Sequence, residues 1–151
     1  DHIPDIELLP SGYVNDPYHI AQNDNMVSIN TALQIDLTGQ VCSETLNGRQ
    51  YSGTGGATDF AAGAYMSRGG RGIVVITSTA KNGTVSKIQP MLSLGSVVSI
   101  SRNWVDCIVT EYGVAHLKGA NIRQRVERLI AIAHPDFRAE LRREADRLML
   151  W

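Results

Sequence analysis

Ile73-Val74-Val75-Ile76 is the stretch that decides the fold: four β-branched residues in a row, without a polar break. A strand with one face in water alternates apolar and polar residues, whereas a strand buried on both faces reads as a continuous apolar run. The run therefore predicts a central strand. Just before it, Ala57 to Ser67 sets Phe60, Ala61, Ala64 and Tyr65 on one helical face. Arg68-Gly69-Gly70 then stops that helix with residues that tolerate positive φ. Helix, glycine stop and buried strand in succession predict an α/β fold.

Working outward, Val27, Ile29, Thr31, Leu33, Ile35 and Leu37 alternate with Ser28, Asn30, Ala32, Gln34 and Asp36. That period of two predicts one long half-buried strand. Thr38-Gly39-Gln40 reads as a turn and Val41 to Leu46 as the returning strand of a hairpin. Further strands are expected at Ser96–Ser101 and Val105–Thr110, with a short edge strand at Val85–Ile88. Toward the end, Ile122, Val126, Leu129, Ile130 and Ala133 form one helical stripe behind an Asn121/Gln124 capping box. Pro135 opens a second helix with Phe137, Leu141, Ala145 and Leu148 inward. Residues 1–25 read as irregular. The sum is a single α/β domain over residues 1–151, with a mixed sheet and two C-terminal helices.

Composition narrows the function classes. Apolar residues make up 43% of the 151, charged residues 19%, and the formal net charge is −1. Neither a nucleic-acid surface nor attraction to an anionic membrane is expected from such a balance. No apolar run approaches the ~20 residues that span a bilayer. Cys42 and Cys107 read as two buried thiols in a reducing, cytoplasmic setting. His2, His19, His116 and His134 lack metal-ligand spacing, and His134-Pro135-Asp136 reads as a helix start.

Chemistry concentrates around Tyr51-Ser52-Gly53-Thr54-Gly55-Gly56-Ala57-Thr58-Asp59-Phe60. A glycine-dense loop entering a helix exposes backbone N–H groups that can bind an anion or a developing oxyanion. No Gly-Lys-Ser/Thr follows, so it is not a P-loop, and the hairpin before it argues against a dinucleotide fingerprint. A structural turn and an anion site fit the spacing equally well. Lys81 follows the central strand, where it meets either solvent or a phosphate. Asn15, in Tyr13-Val14-Asn15-Asp16-Pro17, stabilises a turn or donates to a substrate carbonyl. Glu44 and Glu111, the carboxylates nearest apolar strands, read as hydrogen-bonded structural residues.

These residues, taken together, resemble the acetyl-CoA hydrolase/transferase family. The resemblance lies in Asn23 to Asn30, in Asp36-Leu37-Thr38-Gly39-Gln40-Val41-Cys42, and in Gly53-Thr54-Gly55-Gly56 with Asp59-Phe60. It continues through Thr79-Ala80-Lys81, Val109 to Ala115 and Ala133 to Arg138. It runs from about Leu8 to Arg143 and lies nearest the family's 4-hydroxybutyrate CoA-transferase branch. It implies a NagB/RpiA/CoA-transferase-like fold and a ping-pong transfer of CoA from acetyl-CoA to a short-chain carboxylate such as 4-hydroxybutyrate. A catalytic glutamate would pass through a glutamyl-CoA thioester.

The resemblance further implies roles residue by residue. Gly55 and Gly56 would form an oxyanion hole, and Asn15 would lie near the acyl group. Ser52, Gly53, Gly56 and Lys81 would contact coenzyme A, which acts as substrate and not as a bound cofactor. The family's nucleophilic glutamate lies in a Ser/Thr-Glu segment upstream of the Asn15 region. The chain is therefore expected to be the C-terminal domain of such an enzyme, inactive alone, with its N-terminal domain as partner and a homo-oligomer as the assembled state. A standalone CoA-binding module and an acetyl-CoA hydrolase are the competing readings.

Overall fold

The computed structural model describes residues 6–151; His2 lies outside them. The elements in chain order are α1 (Ser11–Val14), α2 (Pro17–Ala21), β1 (Val27–Thr31), β2 (Gln34–Asp36), β3 (Val41–Cys42), β4 (Thr45–Leu46) and β5 (Arg49–Gln50). There follow α3 (Ala57–Met66), β6 (Arg71–Val75), β7 (Thr79–Ala80), β8 (Val85–Ser86) and β9 (Ile88–Gln89). The chain closes with β10 (Cys107–Thr110), β11 (Gly113–His116), α4 (Ile122–Ala131) and α5 (Pro135–Arg147).

The main sheet has the order β1-β6-β10-β11. Its first three strands are parallel and β11 returns antiparallel. A second sheet, β3-β2-β9, is also mixed. Two small hairpins, β4–β5 and β7–β8, complete the strands. The expected mixed α/β architecture with two C-terminal helices is what the chain adopts.

The predicted strand over 27–37 is in fact two. β1 belongs to the main sheet, and the chain leaves it after Thr31 to enter the second sheet as β2. Its expected facing also inverts. Ser28 is 4% exposed, while Val27 and Ile29 are 52% and 67% exposed. The polar residue faces inward because α3 packs closely there on β1 and β6, with Ala61, Ala62 and Ala64 buried. The central run divides in the same way. Val74 and Ile76 are buried, but Val75 is exposed and Ile73 half-buried. One face of the main sheet is covered by helices and the other is open.

The β2–β3 turn shows how a buried charge is made tolerable. Asp36, with no exposed surface, accepts from Thr38 N–H at 2.9 Å, Thr38 Oγ1 at 2.7 Å, Gln40 N–H at 3.1 Å and Gln40 Nε2 at 2.8 Å. Four donors replace the water the carboxylate has lost. Arg125 of α4 donates to the Thr38 carbonyl at 3.3 Å, which ties the turn to the helical layer.

At the end of the chain the expected signals hold. Asn121 Oδ1 accepts from Gln124 N–H and Gln124 Oε1 from Asn121 N–H, at 2.9 and 3.1 Å, closing the capping box. Behind it Val126, Leu129 and Ile130 are buried, each contributing about 1.5–3 kcal/mol by leaving water. His134 caps α5, its Nδ1 accepting from Asp136 N–H at 3.3 Å, with Pro135 in the first turn.

Four further expectations change. The return expected over Val41–Leu46 divides into β3, paired with β2, and β4, paired with β5. Residues 11–21 are not irregular but form α1 and α2. Residues 96–101 form no strand; they meet the second sheet through a backbone bridge, Val41 to Ile100, and a hydrogen bond from Gln34 Nε2 to Ser96 Oγ at 2.6 Å. The segment at 85–88 divides between β8 and β9, while β11 carried too little pattern to be foreseen.

Candidate active site

The three parallel strands of the main sheet point their carboxyl ends to one edge, where α/β folds bind ligands. A cleft of about 420 Å³ opens beside β1 at that edge. It is lined by Asn30, Thr31, Ser43, Glu44, residues 52–59 and Ser99. The glycine loop is thus one wall of a cleft and not a plain surface turn.

Glu44 holds the loop from two sides. Its carbonyl accepts from Tyr51 N–H at 2.7 Å and Ser52 N–H at 3.1 Å. Its carboxylate accepts from Thr54 Oγ1 at 3.1 Å. This hydrogen-bonded, loop-anchoring Glu44 agrees with a structural role; its place in the cleft wall was not legible from sequence.

The loop then runs into α3. Gly56 occupies the cap position and no side chain caps the helix. The first N–H groups of a helix have no partner within it, so those at the start of α3 remain free to serve a ligand in the cleft they line.

The three glycines differ in what requires them. A Cβ on Gly56 would overlap the Asn15 side-chain amide. At Gly53 and Gly55 a Cβ would meet no atom of the described residues within 4 Å, and neither residue has a left-handed backbone. The packing of this chain does not demand glycine at those two positions. Close approach of a ligand to the backbone would.

Asn15 reaches Gly56 through the two short helices. Asn15 N–H donates to the Ser11 carbonyl at 2.8 Å and ends α1. Asp16 then caps α2 by accepting from Tyr18 N–H at 2.9 Å, with Pro17 in the first turn. α2 lies tightly on α3, because Gly63 leaves room for Ile20. Among the described residues the Asn15 carboxamide has no hydrogen-bond partner, which leaves its donor and acceptor free.

Ser52, Gly53, Gly55 and Gly56 line the cleft, and Asn15, outside that lining, lies against Gly56. Lys81 does neither. It is exposed at the tip of the β7–β8 hairpin, with φ +50°, and is absent from the cleft wall. The wall carries two carboxylates, Glu44 and Asp59, and no lysine or arginine. Such a wall does not attract a free anion. It suits a polarised carbonyl meeting backbone N–H groups.

Glu111 stands in the two-residue turn between β10 and β11. Its carboxylate accepts from Ser78 N–H at 2.9 Å and Ser78 Oγ at 2.6 Å. Desolvation, the largest single effect, opposes its ionisation, but these hydrogen bonds, its own backbone N–H and the nearby His134 together outweigh it and hold the carboxyl below its ordinary pKa. Cys42 and Cys107 are free and buried, as expected. Burial, then the neighbouring Asp106, pushes the Cys107 thiol up to about 11. His116 Nδ1 lies 3.1 Å from Cys107 Sγ.

Comparison with known proteins decides the family. The model of the acetyl-CoA hydrolase/transferase C-terminal domain matches residues 1–145. The chain belongs to this family. It is 54% identical over 96% of its length to a succinyl-CoA:cyclohexane-1-carboxylate CoA transferase of Geobacter metallireducens. It is 55% identical over 93% of its length to a 4-hydroxybutyrate coenzyme A transferase of Clostridium kluyveri. In both cases it spans 33% of the relative. The crystal structure of 4-hydroxybutyrate CoA-transferase from Porphyromonas gingivalis superposes with a TM-score of 0.79 at 48% identity. That match covers 96% of this chain and 32% of the other. The chain is thus similar, along nearly its whole length, to one third of proteins named as CoA-transferases. No helix among the described residues is long and apolar enough to cross a membrane.

Proposed function

We propose that this chain is the C-terminal domain of an acyl-CoA:carboxylate CoA-transferase and supplies the acyl-positioning wall of its active site. Membership of the acetyl-CoA hydrolase/transferase family supports the reading. The single observation that carries it is Gly53 and Gly55, glycines lining a cleft where no protein atom requires them.

In this reading a glutamate from the preceding part of the polypeptide attacks the thioester carbonyl of acyl-CoA. The C–S bond breaks, leaving an acyl-glutamyl anhydride and CoA thiolate. The thiolate attacks the glutamyl carbonyl and releases the first carboxylate, which leaves a glutamyl-CoA thioester. An incoming carboxylate attacks that carbonyl, expels the thiolate and forms a second anhydride. The thiolate then attacks the acyl carbonyl of this anhydride, giving the new acyl-CoA and regenerating the glutamate. Backbone N–H groups at Gly55 and Gly56 receive the developing oxyanion, and the free Asn15 carboxamide donates to the same oxygen or orients the glutamate. Ser52 and Gly53 contact the CoA arm. Lys81, outside the cleft wall, meets a phosphate at the far end of the extended CoA molecule.

Acetyl-CoA as donor, following the family's description, and 4-hydroxybutyrate as acceptor, by similarity to two of the proteins named above, are the substrates we assign. Coenzyme A enters as substrate. A cytoplasmic location fits the two free thiols, and a homo-oligomer is the assembly we expect. The test is an assay of the polypeptide that carries this chain, with acetyl-CoA and 4-hydroxybutyrate. Acceptor-dependent CoA exchange with parallel reciprocal plots is the expected result. Thioester loss at the same rate with or without a carboxylate acceptor would make the enzyme a hydrolase. No turnover of either kind would overturn the reading.

A further inference from the structure

Two hairpin tips of this chain carry the pair Asn-Gly: Asn47-Gly48 between β4 and β5, and Asn82-Gly83 between β7 and β8. At both, asparagine and glycine have positive φ, +52° and +72° at the first tip and +55° and +87° at the second. Asn and Gly are the residues that accept this backbone region in a tight turn. The same pair is chemically labile. The backbone nitrogen of the glycine can attack the side-chain carbonyl carbon of the asparagine, because no Cβ shields it. The reaction needs an amide nitrogen without a hydrogen bond to break, a carboxamide that nothing holds, and room for the turn to rearrange.

The two tips differ in that room. A Cβ on Gly48 would lie 3.3 Å from the Leu94 carbonyl oxygen, and a Cβ on Gly95 would lie 3.1 Å from Gly48 Cα, so the 94–95 segment braces the first turn. A Cβ on Gly83 would meet no atom of the described residues within 4 Å. Among those residues the Gly83 N–H donates no hydrogen bond and the Asn82 carboxamide has no partner, and both residues are exposed. The turn is closed by Thr84, whose N–H and Oγ1 donate to the Lys81 carbonyl at 3.3 and 2.8 Å. That closure leaves the Asn82–Gly83 peptide itself untied.

We propose that Asn82-Gly83 is a site of spontaneous deamidation, and that the modification cancels the positive charge of the tip bearing Lys81. In the first step Gly83 N bonds to Asn82 Cγ, the Cγ–Nδ2 bond breaks, and ammonia leaves with the glycine's amide proton. Water then opens the resulting five-membered imide. Opening at Cγ gives an aspartate at position 82, and opening at the main-chain carbonyl gives an isoaspartate. Either product carries a carboxylate where a neutral amide stood. Residues 77–89 contain Lys81 and Lys87 and no acidic residue, so this is the segment's first negative charge, and it stands next to Lys81. It repels the CoA phosphate that Lys81 is proposed to meet. That consequence rests on the CoA-transferase reading, whereas the deamidation rests on the hairpin alone.

The test ages the polypeptide that carries this chain in mildly alkaline buffer, beside its Asn82→Gly and Asn82→Asp variants. Peptide mapping by mass spectrometry, which needs no activity, should find aspartate and isoaspartate accumulating at position 82. Conversion there should be about tenfold faster than at position 47, a barrier difference of about 1.4 kcal/mol. As position 82 converts, the KM for acetyl-CoA should rise about twofold to fivefold, the size of one exposed charge pair, with kcat unchanged. Asn82→Asp should show the raised KM when fresh, and Asn82→Gly should keep the parent's KM throughout ageing. An intact Asn82, or conversion at Asn47 just as fast, would overturn the modification site. Complete conversion with an unchanged KM would overturn its effect on Lys81. A polypeptide that transfers no CoA even when fresh would sink the functional reading, and the peptide map would still decide the deamidation.

Discussion

The side-chain amide of Asn15 lies directly over Gly56, so close that a Cβ at position 56 would overlap it. Residues 41 apart in sequence thus share one small volume at the start of α3. Gly56 has an ordinary φ of −80°, so a larger side chain there would be resisted by Asn15 and not by its own backbone. Gly56→Ala should therefore displace the Asn15 amide and lower transfer by the polypeptide carrying this chain about tenfold or more, equivalent to about 1.4 kcal/mol. Asn15→Ala should also lower it, and the double substitution should cost less than the two single effects combined. Full additivity in that cycle would mean that the two residues act independently.

Gly55→Ala separates ligand from fold. Its Cβ meets no protein atom and needs no unusual φ, so urea denaturation should give a stability equal to the parent or up to about 1 kcal/mol higher. Transfer should fall about tenfold or more if a thioester carbonyl approaches that backbone. A variant with unchanged kcat/KM would remove Gly55 from the oxyanion site.

Asp36→Ala would strand the four donors at Thr38 and Gln40 in a buried turn. A loss of about 2–4 kcal/mol in chemical denaturation is expected. A change below 0.5 kcal/mol, on the order of a surface substitution, would mean that water replaces the carboxylate.

Glu111 makes stability depend on acid. Desolvation is the largest single effect and raises its carboxyl pKa, but the Ser78 hydrogen bonds, its own backbone N–H and nearby His134 together outweigh it and hold the group below its ordinary value. The folded state therefore binds this proton less readily than the unfolded chain. The contribution is complete above the unfolded pKa of about 4.3 and is lost as pH falls through the lower folded value. Denaturation midpoints measured between pH 6 and pH 3 should fall less steeply for Glu111→Gln than for the parent. Identical slopes would assign the acid sensitivity elsewhere.

What sequence reveals here follows where the physical cause is local. The Asn121–Gln124 box, Pro135 and the glycine stop after α3 act within a few residues, and each was readable. α1 and α2 have four and five residues, too few for a helical period, although Asp16-Pro17 carried a cap-and-first-turn signal that could have placed α2. The facing of β1 was hidden for another reason. Alternation tells that two faces differ, but which face meets this chain's helices depends on tertiary packing. Asn15, Ser52, Gly53, Gly55 and Gly56 were named from resemblance; the last four share one loop, and α2 packing on α3 brings Asn15 to Gly56. The Glu44 latch on Thr54 was not visible, because a hydrogen bond across a hairpin leaves no spacing rule to read.

The Glu111–Ser78 contact joins the turn after β10 to the segment after β6, and that segment continues into the hairpin bearing Lys81. Two loops from neighbouring strands are thereby stitched at their roots. A molecule gripping the Lys81 tip would tug on the β10–β11 turn as well, so this rim of the sheet would behave as one hinged flap with a shared stiffness, and not as two free fingers.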